Sequence, residues 1–171
     1  MKKSLVLTIL MIFFTISAFS QRFAYIDTHY IMDYIPEYQA AQMELEQLAA
    51  DWQIELEKKF EKIDELKKKH QAESVLLPDE IKQEREKEIV ELETEAKKLQ
   101  IQRFGQGGDL FTKRKELIQP IQDKIFEAVE EIATRGNYAV IFDKAGGPNM
   151  IYTDMRYDLS DDVLKHLGYR N

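Results

Sequence analysis

The stretch LEQLAADWQIELEKKFEKI, residues 45–63, decides the fold of this chain. Its apolar side chains recur at spacings of three and four residues, so they fall on one narrow stripe of a helix. The stripe consists of Leu45, Ala49, Trp52, Leu56, Phe60 and Ile63. Charged and polar residues fill the positions between them. The stretch therefore predicts a solvated helix with a single apolar seam, and not a strand.

The helical pattern extends over residues 37–135 and is interrupted near Pro78. Asp79 and Glu80 follow this proline, as is typical of a first helical turn. The seam then resumes at Ile81, Ile89, Leu92, Ala96 and Leu99. We predict two antiparallel helices, the first over residues 37–73, folded about Leu77.

Three glycines, Gly105, Gly107 and Gly108, weaken the second helix, because glycine costs roughly 1 kcal/mol relative to alanine inside a helix. Two interpretations stay open. In the first, the small residues make room for Trp52 or mark a lost helical turn. In the second, they form a hinge about which the outer arm swings.

The two ends of the chain predict a small body. A strand begins at Arg22, and Asp27 offers capping chemistry for a short helix. Residues 138–142 have the pattern of a buried strand and residues 150–152 that of a second strand, which together form a hairpin. Ser160 is expected to cap a final helix.

The predicted fold is α+β. A long antiparallel helical hairpin, a coiled-coil arm of residues 37–118, projects from a β-rich body with a short C-terminal helix. The body consists of residues 21–36 and 119–171. Three short strands cannot cover their own edges, so we expect the body to associate with further copies of the chain.

The first residues indicate export. Lys2 and Lys3 precede an apolar run over residues 5–16, and small residues follow up to Ser20. We predict a signal peptide of residues 1–20, cleaved after Ser20, and prefer it to a retained anchor because the run is short for a membrane span. The sequence contains no cysteine, which excludes disulfides.

Charge argues against several partners. The chain has 24 basic and 31 acidic residues, and cleavage would remove Lys2 and Lys3 to leave 22 against 31, a net charge of −9. Nucleic acid is therefore not an expected partner, and anionic membrane surfaces are poor ones.

No pattern in the sequence predicts catalysis, a cofactor or a metal site. His29, His70 and His166 lie in different predicted elements without ligand spacing. The glycines before Asp109 lack the strand and the Gly-Lys-Ser/Thr ending of a phosphate loop. The glycines after Asp143 favour a turn over a calcium loop. We expect a protein that is not an enzyme.

Several motifs at the two ends together resemble one family, the Skp (OmpH) family of periplasmic chaperones. The motifs are Ala24-Tyr25-Ile26-Asp27, Pro36-Glu37-Tyr38, residues 116–121, residues 138–144, Tyr152 and Tyr157-Asp158-Leu159-Ser160. The resemblance covers essentially the whole chain after the signal peptide. It implies a homotrimer whose helical arms surround a cavity.

The resemblance also implies a function. Such chaperones hold unfolded outer-membrane β-barrel proteins without ATP and deliver them toward the outer-membrane assembly machinery. Candidate client-binding residues are apolar residues off the seam or near the tip, although they could equally close the seam and the tip. They are Leu66, Val75, Leu76, Leu77 and Val90.

One feature departs from the family, whose well-known members are basic. Residues 37–104 contain 12 lysines or arginines against 18 acidic residues. Attraction to acidic clients or lipopolysaccharide is therefore not expected beyond local clusters such as Lys67-Lys68-Lys69. The alternative function is an envelope adaptor whose hairpins bind one folded partner.

Overall fold

The computed structural model of the protein describes residues 22–146 and 150–170. The predicted signal peptide and its cleavage site lie outside these residues. The described elements follow in the order β1 (Arg22–Ile26), α1 (Thr28–Asp33), α2 (Pro36–Glu73), α3 (Asp79–Phe104), α4 (Asp109–Gly136), β2 (Tyr138–Asp143), a 3₁₀ turn (Met155–Tyr157) and α5 (Ser160–His166).

The chain divides into two compact units. The hairpin unit is Ile35–Lys124, and the sheet unit comprises the described residues up to Tyr34 and from Ile125 onward. Helix α4 contributes its first half to the hairpin unit and its second half to the sheet unit.

The hairpin unit confirms the predicted helix boundaries. Helix α2 begins at Pro36, where the missing amide proton of proline costs no helical hydrogen bond, and it ends at Glu73. Helix α3 begins directly after Pro78 with Asp79 and Glu80 in its first turn, where the helix dipole favours negative charge.

The predicted apolar seam of the hairpin unit is largely buried. Its buried members are Leu45, Leu56 and Ile63 on α2 and Ile89 and Ala96 on α3. Two predicted members, Phe60 and Ile81, are each 39% exposed and therefore lie at the margin of the seam.

In a hairpin folded about Leu77, residues that are equally far from Leu77 along the chain lie opposite each other. The ion pairs across the hairpin instead join each α2 residue to a residue about one helical turn later in the chain than the opposite one. Glu55 contacts Arg103 at 3.7 Å, whereas counting from Leu77 places Leu99 opposite it. Glu73 contacts Arg85 at 2.6 Å in the same sense. Helical side chains lean toward the N-terminus of their own helix, which displaces contacts between antiparallel helices in this direction.

The sheet unit differs from the predicted hairpin of strands. Strands β1 and β2 pair in parallel, with Tyr25 opposite Phe142. Residues 150–152 form no strand, so this prediction was wrong. The other side of β1 is instead occupied by an isolated bridge between Tyr25 and Asp158, supported by the Leu159 amide, which donates to the Tyr25 carbonyl at 2.9 Å.

Helices α1 and α5 supply the core of the sheet unit, where Ile31, Val163 and Leu164 are fully buried. The Asp27 carboxylate accepts a hydrogen bond from the Tyr30 amide and so caps α1 as predicted. Ser160 was predicted to cap α5, but it does not. It is the first helical residue, and its hydroxyl accepts from the Asp27 amide and donates to the Asp158 carboxylate.

Candidate functional site

The tip of the hairpin unit exposes two large apolar side chains. Val75 is 88% and Leu76 85% exposed, whereas Leu77 is half-buried. The backbone of the tip is ordered by hydrogen bonds from the Ser74 amide to the His70 carbonyl and from the Leu76 amide to the Glu73 carbonyl. The tip therefore presents bare apolar surface on a fixed turn.

Ion pairs flank the tip on both helices. Arg85 on α3 donates to the Glu73 carboxylate at 2.6 Å, and this hydrogen bond lowers the pKa of Glu73. Lys67 on α2 likewise pairs with Glu93 and lowers the pKa of that carboxyl. These contacts join the ends of the two helices just below the exposed apolar residues.

The remaining candidate client-binding residues lie in different surroundings. Val90 on α3 is 58% exposed. Leu66 is partly buried and packs against the seam cluster of Ile63, Ile89 and Ala96. The structure thus groups Val75 and Leu76 at the tip, places Val90 separately, and gives Leu66 a packing role in the seam.

Further exposed apolar residues on the hairpin unit were missed by the sequence analysis. They are Met43, Ile54, Ile101, Phe104 and Phe111. A spacing of eleven residues, which is close to three helical turns, separates Met43 from Ile54 and also Val90 from Ile101. The eleven-residue spacing in the sequence could therefore have predicted that the two residues of each pair lie on one helix face.

The three glycines interrupt the helix. Helix α3 ends at Phe104 and α4 begins at Asp109. Gly107 has φ +74°, a conformation that other residues adopt only with strain. A Cβ atom on Gly105 would lie 2.3 Å from the Ile101 carbonyl oxygen. The break is therefore specific to glycine, and a helical turn is lost here as one of the two interpretations expected.

A cluster centred on Arg103 lies beside the break. The guanidinium lies 4.5 Å from the centroid of the Trp52 ring and donates to the Asp109 carboxylate at 2.8 Å. Glu55 lies 3.7 Å away, and the Trp52 ring packs edge-on against Phe104. Arg103 thus connects the end of α3, the start of α4 and the facing side of α2.

One face of the sheet unit is apolar but exposed. Phe23 is 49%, Val140 41% and Phe142 42% exposed, so the prediction that β2 is buried was wrong for the single chain. Phe23 and Phe142 border an open groove of about 660 Å³ that Tyr152 and Tyr157 also line. Within residues 22–146 and 150–170, no strand pairs with the outer edge of β2.

The described part of the chain contains no group of three or more histidine, cysteine, aspartate or glutamate residues arranged to hold a metal ion. Among the same residues, no helix is both long and apolar enough to cross a membrane. His70 instead lies 3.3 Å from Glu86, and His166 lies at the same distance from Glu131.

These elements define an α+β protein with a small parallel sheet and a long, solvated helical hairpin with bare apolar side chains. Residues 22–167 match the family described as outer membrane protein (OmpH-like). The chain therefore belongs to the OmpH-like family.

Individual proteins are also similar to this chain. An uncharacterized protein of Aquifex aeolicus is 32% identical over 150 residues, which is 88% of each chain. A crystal structure of an OmpH-like outer membrane chaperone from Caulobacter crescentus superimposes with a TM-score of 0.66. It covers 86% of this chain and 83% of its own at 9% identity, so this likeness supports the fold alone.

Proposed function

We propose that this protein is an ATP-independent periplasmic holdase that binds unfolded outer-membrane β-barrel proteins and prevents their aggregation. Membership of the OmpH-like family supports this proposal. The observation that carries it is the row of exposed apolar side chains on a solvated helical hairpin, above all Val75 and Leu76 at the tip.

Such a surface suits a client without fixed structure. Burying one valine or leucine side chain contributes roughly 1.5–3 kcal/mol, so a few contacts per arm hold an extended chain only weakly. Several arms acting together raise the effective affinity without a shaped pocket. Release then needs no nucleotide, because each contact opens independently.

The arms are brought together by a homotrimer built on the sheet unit. The exposed face around Phe23, Val140 and Phe142 supports this association, as does the outer edge of β2, which no strand among the described residues covers, because exposed apolar faces and open strand edges favour pairing with another chain. We propose that three hairpins surround the client and hand it to the outer-membrane assembly machinery. The glycine break would let each arm adjust to clients of different size.

A direct test is to dilute a urea-unfolded outer-membrane barrel protein into buffer containing residues 21–171 without nucleotide. We expect light scattering from aggregates to fall as the protein approaches a stoichiometric amount. Replacing Val75 and Leu76 by serine should weaken this suppression, because it removes the apolar surface at the tip.

A matched control replaces the exposed polar residues Lys58 and Lys59 by serine and should leave the suppression unchanged. Saturable binding to one folded envelope protein, with no effect on the unfolded barrel, would favour the adaptor function over the chaperone function.

A further inference from the structure

The first half of α2 has an unusual charge pattern. Residues 37–57 contain six carboxylates and neither lysine nor arginine. Two of these carboxylates face other helices of the hairpin unit, where Glu44 pairs with Lys113 at 3.2 Å and Glu55 approaches Arg103 at 3.7 Å. Three others, Glu46, Asp51 and Glu57, are exposed and have no cationic partner among the described residues.

These carboxylates flank an exposed apolar ridge. Met43 is 65% and Ile54 49% exposed, and Ala50 lies between them on the same helix face. Each of the two large residues precedes a seam residue, Leu45 or Leu56, by two positions, which is a rotation of about 200° on a helix. The ridge therefore points away from the seam. We name Met43, Ala50 and Ile54 with Glu46, Asp51 and Glu57 the α2 ridge.

Helix α3 offers an internal comparison. Val90 and Ile101 are 58% and 70% exposed and have the same eleven-residue separation as Met43 and Ile54. Lys97 lies between them on that face, and Lys98 is its neighbour. We name Val90, Lys97 and Ile101 the α3 ridge. The two ridges are alike in apolar exposure, but Lys97 lies at the centre of the α3 ridge, and two carboxylates beside Val90 already have partners: Glu86 contacts His70 and Glu93 contacts Lys67.

We propose that the α2 ridge binds segments of unfolded polypeptide in which apolar residues are flanked by lysine or arginine. The apolar side chains supply contact area, and the unpaired carboxylates complement the basic residues of the segment. Opposite charges at a solvated surface add specificity and faster association more than affinity. The α2 ridge would thus select clients by charge, and this inference rests on the proposed holdase function.

Two fluorescent peptides of 20 residues or so, with the same leucine and phenylalanine positions, test the proposal. One carries lysine at every charged position and the other carries glutamate. We expect the lysine peptide to bind about tenfold more tightly at about 50 mM salt. The difference should shrink at about 0.5 M salt, where the Debye length is only a few ångströms.

Variants locate the binding site. The variant E46Q/D51N/E57Q should weaken binding of the lysine peptide about tenfold, because three carboxylates are neutralised without loss of volume. The variant M43Q/I54Q should also weaken it, and more strongly than the matched change V90Q/I101Q on the α3 ridge, where Lys97 repels a basic segment. A photo-crosslinking residue at Gln47 should capture the lysine peptide, and one at Thr94 should not.

Three results would overturn the inference. Equal binding of both peptides, or equal effects of the two ridge variants, would show that the α2 ridge does not select charge. A change in oligomeric mass caused by M43Q/I54Q would show that a second copy of the chain covers the ridge. If the barrel protein is still held soluble in any of these cases, the holdase function stands; if no unfolded chain is bound at all, both proposals fail.

Discussion

At the scale of single residues, Arg103 connects three helices of the protein, α2, α3 and α4. Its guanidinium packs on Trp52 and donates to Asp109 across the glycine break, and it is only 25% exposed. The sequence predicted Trp52 as a seam residue but gave Arg103 no role. A stacked, ion-paired arginine has no periodic signal, because its partners lie on two other helices.

We expect the substitution Arg103→Met to lower the free energy of unfolding by about 2 kcal/mol. The change removes a charge-assisted hydrogen bond and a cation–π contact while keeping most of the side-chain volume. Urea unfolding followed by fluorescence measures it conveniently, since Trp52 is the one tryptophan of the chain. Arg114→Met is the control, because Arg114 is exposed on α4. Equal losses in both variants would contradict the role of Arg103.

The ion pairs near the tip predict a dependence on acid pH. Arg85 lowers the pKa of Glu73, and Lys67 lowers that of Glu93, from an ordinary value of 4.5. Because both pKa values are depressed in the folded state, both pairs contribute stability above pH 4.5 and lose it as the pH falls through the folded pKa values.

Carboxyl chemical shifts followed by NMR between pH 7 and pH 2 or so would measure both titrations. The variant R85M should raise the pKa of Glu73 and leave that of Glu93 in place, while K67M should do the reverse. Unchanged titration of Glu73 in R85M would show that the ion pair does not form in solution.

At the scale of elements, the helices were predictable and the sheet was not. The seam from Leu45 to Ile63 repeats with helical spacing, and Pro78 marks the turn, so local sequence defines both helices. Strand β1 instead pairs with a strand more than a hundred residues later, and no local pattern encodes that partner. Residues 150–152 have strand-forming side chains but do not form a strand, because propensity alone does not make one.

The glycine break predicts local mobility between α3 and α4. Amide hydrogen exchange should be faster at residues 103–110 than in the flanking turns. Replacing Gly105, Gly107 and Gly108 by alanine should extend the helix across the break and slow this exchange, because each alanine favours helix by roughly 1 kcal/mol and the observed turn cannot accept Cβ atoms. Hydrogen exchange with mass spectrometry measures the exchange rates in the unchanged protein and in the triple alanine variant.

A hinge requires motion of the arm in addition to rapid exchange. The chain has no cysteine, so spin labels can be attached at cysteines introduced for Lys62 and Lys115. A hinge predicts a broad distance distribution that narrows in the triple alanine variant. Uniform exchange protection across residues 103–110, or equally narrow distributions in both proteins, would leave the break as a rigid corner.

At the scale of the whole molecule, the two units expose apolar surfaces that suit different kinds of contact. The apolar face of the sheet unit suits a permanent contact, because Val140 and Phe142 lie on a regular strand beside Phe23 and Tyr25. The apolar residues of the hairpin unit are scattered along solvated helices and suit transient contacts. The small size of the body led to the prediction of self-association. The apolar pattern of β2 predicted a buried strand, but in the single chain this strand is partly exposed.

This division leads to a prediction for residues 21–171. Analytical ultracentrifugation should give three times the monomer mass, and V140K/F142K should give monomers because charges would be buried in the contact. The matched variant V90K/I101K on the α3 ridge should remain trimeric. The monomeric variant should keep its helical circular dichroism yet lose the ability to hold an unfolded barrel protein, since a single arm offers too few contacts. Full holding activity by a monomer would show that the arms act singly and that no cavity is needed.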